Sequence, residues 1–135
     1  MPMGPNRLKY LEMLQGVITR MAGNEFSLRT WSVTLGTAVI GYAASKDGNT
    51  KAAFIAILPA LVFWLLDAYF LSLERKFRAL FNTAAAVQDD TPNFSFDNGW
   101  TAKDWLPAAF RPAVWLVHAP VIVVALLVGF QVFQR

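Results

Sequence analysis

The feature that leaves this chain fewest options is the blockwise placement of its apolar residues. From Ala52 to about Leu73 it reads AAFIAILPALVFWLLDAYFLSL, 22 residues in which Asp67 is the sole charge. Pro112 to Phe133, PAVWLVHAPVIVVALLVGFQVF, carries no Asp, Glu, Lys or Arg at all. A bilayer needs about 20 such residues in a helix. A third block, Leu28 to Ala44, is shorter, opens with Arg29 and is rich in Ser, Thr, Gly and Ala. The expected fold class is therefore all-α: an integral membrane bundle of three transmembrane helices, placed at 28–44, 52–73 and 112–133.

Composition agrees. The chain has 135 residues, 56% of them hydrophobic and 16% charged. Soluble domains average nearer 45–50% and 25%. That length fits a single domain. With no cysteine, disulfides, thiolate metal sites and a cysteine nucleophile are excluded.

The intervening segments read as follows. Residues 6–22 place Leu8, Leu11, Leu14, Gln15 and Ile18 on one helical face, with Arg7, Lys9, Glu12 and Arg20 interspersed. This predicts an amphipathic helix outside the membrane, ended at Gly23-Asn24. Lys46 to Thr50 is a tight polar turn joining the first two spans as a hairpin. Pro59 is placed to kink the second span. Past Leu73 the charges Glu74, Arg75, Lys76 and Arg78 end the apolar run, and a helical extension is expected over 74–87. Residues 88–111 form a cytoplasmic loop rich in Asp, Asn, Pro and Gly, with Phe94, Phe96, Trp100, Trp105 and Phe110 suited to the headgroup level. The tryptophans Trp31, Trp64, Trp100 and Trp105 are the expected interface anchors.

Charge position supplies an independent test. In a three-span topology nine basic residues fall on one side: Arg7, Lys9, Arg20, Arg29, Arg75, Lys76, Arg78, Lys103 and Arg111. The other side receives Lys46, Lys51 and Arg135. The positive-inside rule then predicts a cytoplasmic N-terminus and long loop, with the tight turn and the C-terminus outside. Topology accounts for the basic residues, so no nucleic-acid partner is expected.

Three polar residues lie where lipid disfavours them. Asp67 sits some six residues before the cytoplasmic end of its span, and His118 about six inside the start of the third. At ~1.5 Å per residue both lie near 9 Å below the interface. Arg29 opens the first span on the same side. A carboxylate in hydrocarbon costs about 2.5 kcal/mol or more, so Asp67 should face the bundle and find Arg29 or His118. Three readings remain open: a clamp fixing helix register and depth, a group for ion passage, proton sensing or gating, and a simple interfacial location of Asp67 with no partner. Ser32 with Gly36, and Thr37 with Gly41, are small-xxx-small pairs that let another helix approach closely.

Other chemistry is thin. With a single histidine, a His-based metal cluster cannot be assembled in one chain, and Asp89, Asp90 and Asp97 do not fit calcium-loop spacing. Neither a phosphate-cradling glycine loop nor a nucleophile–base pair is expected from the sequence. No catalytic residue, cofactor or metal is expected.

Two stretches carry a resemblance. Arg20-Met21-Ala22-Gly23-Asn24-Glu25-Phe26 leads into Trp31-Ser32-Val33-Thr34-Leu35. Phe63-Trp64-Leu65-Leu66-Asp67-Ala68-Tyr69-Phe70-Leu71 leads into Glu74-Arg75-Lys76-Phe77-Arg78. Together they resemble an uncharacterised family of small bacterial three-span membrane proteins. Small membrane proteins of this look include the SMODS- and SLOG-associating transmembrane effectors encoded beside antiphage signalling genes. That resemblance implies a protein that permeabilises the inner membrane when triggered. With no nucleotide-sensor domain in this sequence, the trigger would come from a cytoplasmic protein partner. The functional expectation is a non-enzymatic homo-oligomer that forms or perturbs a membrane pathway. The alternative is an accessory or scaffold subunit of a larger membrane complex.

Overall fold

The computed structural model describes residues 3–45, 47–88 and 90–130. Lys46 of the expected turn, Asp89 of the expected loop, and Gln131 to Phe133 of the third expected span lie outside them, as does Arg135. Among the described residues the chain is all-helical. Helix α1 runs Pro5–Ala44, and a 3-10 turn over Thr50–Ala56 leads into α2, Ile57–Ala86. A loop, a 3-10 turn at Ala102–Asp104 and the short α3, Trp105–Ala109, precede α4, Pro112–Phe130.

One expectation is corrected at once. The separate helices 6–22 and 28–44 are a single 40-residue helix, and Gly23-Asn24 does not end it. A glycine inside a helix costs about 1 kcal/mol, which long-range packing readily exceeds. Ile18, Glu25 and Ser32 bury one continuous stripe across that point, so α2 holds the helix together where propensity alone would stop it. On the N-terminal part the buried face is Arg7, Tyr10, Leu11, Leu14 and Ile18, while Leu8 and Gln15 are exposed. Pro59 is also placed differently. The α-helix begins only at Ile57, so Pro59 occupies its first turn, where its missing N–H removes no ladder bond.

Side-chain pairs fix the directions of the helices. Arg7 reaches Ala85 and Arg29 reaches Asp67, so α1 and α2 are antiparallel. Ser32 meets His118, and any Cβ at Gly36 would collide with Val121, so α4 runs with α1. Phe54 lies over Gly129, against the run of α2. At ~1.5 Å per residue α1 is about 60 Å long and α4 about 28 Å. The molecule therefore has a three-helix half and a two-helix half.

The two halves have opposite surfaces. In the two-helix half Leu11, Leu14 and Ile18 are buried and Lys9, Glu12, Arg20, Arg75 and Arg78 are exposed. In the three-helix half Leu58, Leu61, Val62, Leu66, Leu116, Val123 and Leu127 are exposed. Its interior is Ala53, Ala56, Ala60 and Ala125 with Ser32, Asp67 and His118. Among the described residues two helices are long and apolar enough to cross a membrane, Thr50–Ala86 and Pro112–Phe130.

The loop from Asp90 to Thr101 straps the two-helix end. Asp90 accepts from the Arg7 backbone N–H at 3.1 Å, supplying the N-cap acceptor that Gly4 lacks and a negative charge at the helix N-terminus. Gly4 leaves room for this contact, since a Cβ there would displace the Asp90 carboxylate. Tyr10 donates to the Ser95 carbonyl, and its ring meets Phe94 and Phe96 edge-on. Farther along, Thr101 N–H donates to Asp104 at 2.8 Å. That bond, with Lys76 at 3.3 Å, holds the Asp104 carboxyl below its usual range.

Candidate functional site

Where the two halves meet, α1, α2 and α4 bring their polar residues into one layer. On α1 Glu25, Arg29 and Ser32 recur at helical spacing on one face. Asp67 and Glu74 share a face of α2, two turns apart. The single histidine, His118, comes from α4.

Arg29 grips Asp67 bidentately, with Nε 2.8 Å from Oδ2 and Nη2 3.0 Å from Oδ1. Nη2 also donates to Glu25 Oε2 at 3.1 Å. His118 Nε2 lies 3.0 Å from Asp67 Oδ2, and His118 Nδ1 lies 2.8 Å from Ser32 Oγ. A proton on Nε2 satisfies every member: imidazole donates to the carboxylate and accepts from the Ser32 hydroxyl. This tautomer is assigned from its partners. Asp67 and His118 are both 0% exposed, and the Trp64 indole stacks on His118 at 6.5 Å with an angle of 14°.

The layer continues toward the two-helix half. Glu25 is buried, and its Oε1 receives no donor. Burial, and next the facing Glu74 carboxyl, push its pKa up to about 8, against the pull of Arg29. The Glu25 carboxyl therefore holds its proton well above the usual carboxylate range. Glu74 is in turn held by Arg78 Nε at 2.5 Å. Arg29 thus pairs with Asp67, and Arg78 with Glu74.

The structure thus brings Arg29, Asp67 and His118 together. Ser32, read from sequence as a packing residue, also serves as a hydrogen-bond partner in the layer. Gly36 packs against α4, whereas Thr37 and Gly41 face outward. Of the four tryptophans expected as anchors, Trp31 is 57% exposed. The other three turn their indole N–H inward: Trp64 to the Ala109 carbonyl, Trp100 to Ser72 Oγ and Trp105 to the Leu65 carbonyl, each 2.8 Å. Sequence reasoning missed Glu25 and Glu74. Their spacing carried the signal, since Glu25 lies one turn before Arg29 and Glu74 seven residues after Asp67.

Chemically the layer can hold charge and hold or pass a proton among oxygen and nitrogen atoms already in contact. A Ser–His–Asp chain is present, yet Ser32 is 2% exposed, so its hydroxyl is not offered to a substrate. Among the described residues no group of three His, Cys, Asp or Glu side chains is placed to hold a metal ion. No family model matches the chain, and neither the curated proteins nor the solved structures contain a match.

Proposed function

We propose that this chain is a non-enzymatic protein of the bacterial inner membrane that assembles with copies of itself and forms or perturbs a pathway across the bilayer. In this reading the three-helix half spans the membrane three times, with residues 28–44 of α1 as the first span. The two-helix half stands in the cytoplasm together with the N-terminus, and the C-terminus lies outside. The observation that carries it is the charged layer of Arg29, Asp67 and His118 enclosed by an apolar exterior. In water such a distribution is unfavourable on both counts; in lipid it is the expected one.

The outward Thr37–Gly41 face of α1 adds a surface for self-association. With Pro120 and Val124 it borders an apolar groove of about 320 Å³, where backbone approaches closely. Beyond Ser32 the interior of one chain is closed by alanines, so a pathway runs between copies. Following the resemblance, a trigger from a cytoplasmic partner would make the protein an antiphage effector.

The test is the protein mass of the particle in nanodiscs, joined to membrane potential in expressing cells. A defined homo-oligomer that depolarises cells, with the effect lost in Asp67→Leu, is the expected result. A monomer with unchanged potential would remove the reading.

A second reading, an accessory or scaffold subunit, is favoured by the two-helix half. Residues 5–27 of α1 extend about 35 Å beyond the first span and present a charged surface to a partner. Co-purification of a stoichiometric second protein from native membranes separates this reading from the first.

A further inference from the structure

At the junction of the two halves a buried carboxyl oxygen stands without a donor. Glu25 is 4% exposed. Its Oε2 accepts from Arg29 Nη2 at 3.1 Å, but its buried Oε1 accepts from nothing. Arg29 does not make good the deficit, because its Nε and Nη2 are both committed to Asp67. Across from Glu25, within carboxyl-to-carboxyl hydrogen-bonding reach, stands Glu74 of α2. Glu74 is itself buried, and its cation is Arg78.

Two ionised carboxylates are acceptors only, and side by side out of water they repel. A hydrogen bond between them needs one proton, and the oxygen with no other partner is Glu25 Oε1. The charge count points the same way. Three carboxyls, Glu25, Asp67 and Glu74, meet two guanidinium groups, Arg29 and Arg78. His118 adds no cation, since a neutral ring with its proton on Nε2 satisfies both Asp67 and Ser32.

We propose that one proton, carried on Glu25 Oε1 and donated to Glu74, latches α1 to α2 at the boundary of the two halves, and that its release opens the latch. The charged groups acting on Glu25 are Arg29 on its own helix and Glu74 and Asp67 on α2. From α4, His118 reaches the layer through Asp67 and Ser32. With the proton gone, the two carboxylates repel, and Glu25 competes with Asp67 for Arg29. Neither glutamate lies in a proposed span, so the latch stands independently of the membrane reading.

Two measurements on the full chain in liposomes, taken from about pH 6 to about pH 10, test the latch. Infrared difference spectra follow the C=O stretch of a protonated carboxylic acid. Electron spin resonance reads the distance between spin labels on Thr19→Cys and Ala79→Cys, exposed positions of α1 and α2. One protonated carboxyl per chain is expected at the lower pH, lost with a midpoint near pH 8. The label distance should lengthen and broaden over the same range. Glu25→Gln should lack the band and keep the short distance throughout. If it fails to fold, Glu74→Gln serves: its amide donates to Glu25 Oε1, so it too should lack the band and hold the distance. Absence of the band at the lower pH would overturn the proposal, and so would a band that survives in either variant. A band that titrates while the label distance stays constant would also overturn it, since the proton would then latch nothing.

Discussion

The two-helix and three-helix halves share two helices, yet they are built on opposite rules. In the former, Leu11, Leu14 and Ile18 are buried between α1 and α2, and Lys9, Glu12, Arg20, Arg75 and Arg78 are exposed. In the latter, Leu58, Leu61, Leu116, Val123 and Leu127 point out, and the interior holds alanines and Val114 with an Arg–Asp–His network. The same continuous α1 serves both, changing its buried stripe from Leu11, Leu14 and Ile18 to Glu25, Ser32 and Gly36. What a helix buries depends on the solvent outside: water drives leucine inward, whereas lipid leaves van der Waals packing and polar pairing to join helices. On the proposed membrane reading the two halves owe their cohesion to different forces, and substitutions should distinguish them.

The largest effect is expected in the three-helix half. Asp67→Leu takes the buried carboxylate from both Arg29 and His118, leaving Arg29 only Glu25 as a partner, and should cost about 3–5 kcal/mol, measured by reversible unfolding in mixed detergent. In the two-helix half the sensitive position is apolar. Leu14, 0% exposed, should cost about 2–5 kcal/mol on truncation to Ala. Leu127→Ala on the exterior of the three-helix half should change stability by no more than about 0.5 kcal/mol. If Leu127→Ala were as damaging as Leu14→Ala, the contrast between the halves would collapse.

A subtler effect belongs to the junction. Glu25 has its pKa raised from 4.5 to about 8 in the fold, so the folded state holds a proton that the unfolded chain releases. Its contribution is fully present below about pH 4.5 and declines as pH rises toward about 8. Glu25→Gln should flatten that decline, which unfolding midpoints across this range would reveal. The smallest change is expected from Tyr10→Phe. It removes one hydrogen bond, worth about 1 kcal/mol, and should appear as faster amide exchange confined to residues 91–98.

Much of this contrast was legible in the sequence, for a physical reason. The apolar blocks at 52–73 and 112–133 mark the two helices that are long and apolar enough to cross a membrane. Counting residues from the block ends puts Asp67 and His118 at one level, where they are in contact. What was hidden depends on long-range packing. Gly23-Asn24 reads locally as a stop, but the stripe from Ile18 to Ser32 overrides it. Glu74 reads as the first solvated charge after a span, though it faces Glu25 from across the bundle. The Arg7–Tyr10 strap joins residues more than eighty positions apart, beyond the reach of any periodicity.

The central claim is that the apolar exterior of the three-helix half faces lipid. With no native cysteine, single cysteines can be placed and spin-labelled at Leu61, Val123 and Leu127, and at Lys9, Glu12 and Arg20. The decisive measurement is their relative accessibility to oxygen and to a water-soluble nickel complex in liposomes. The account predicts high oxygen and low nickel accessibility for the first set and the reverse for the second. Equal nickel accessibility at all six positions would contradict it.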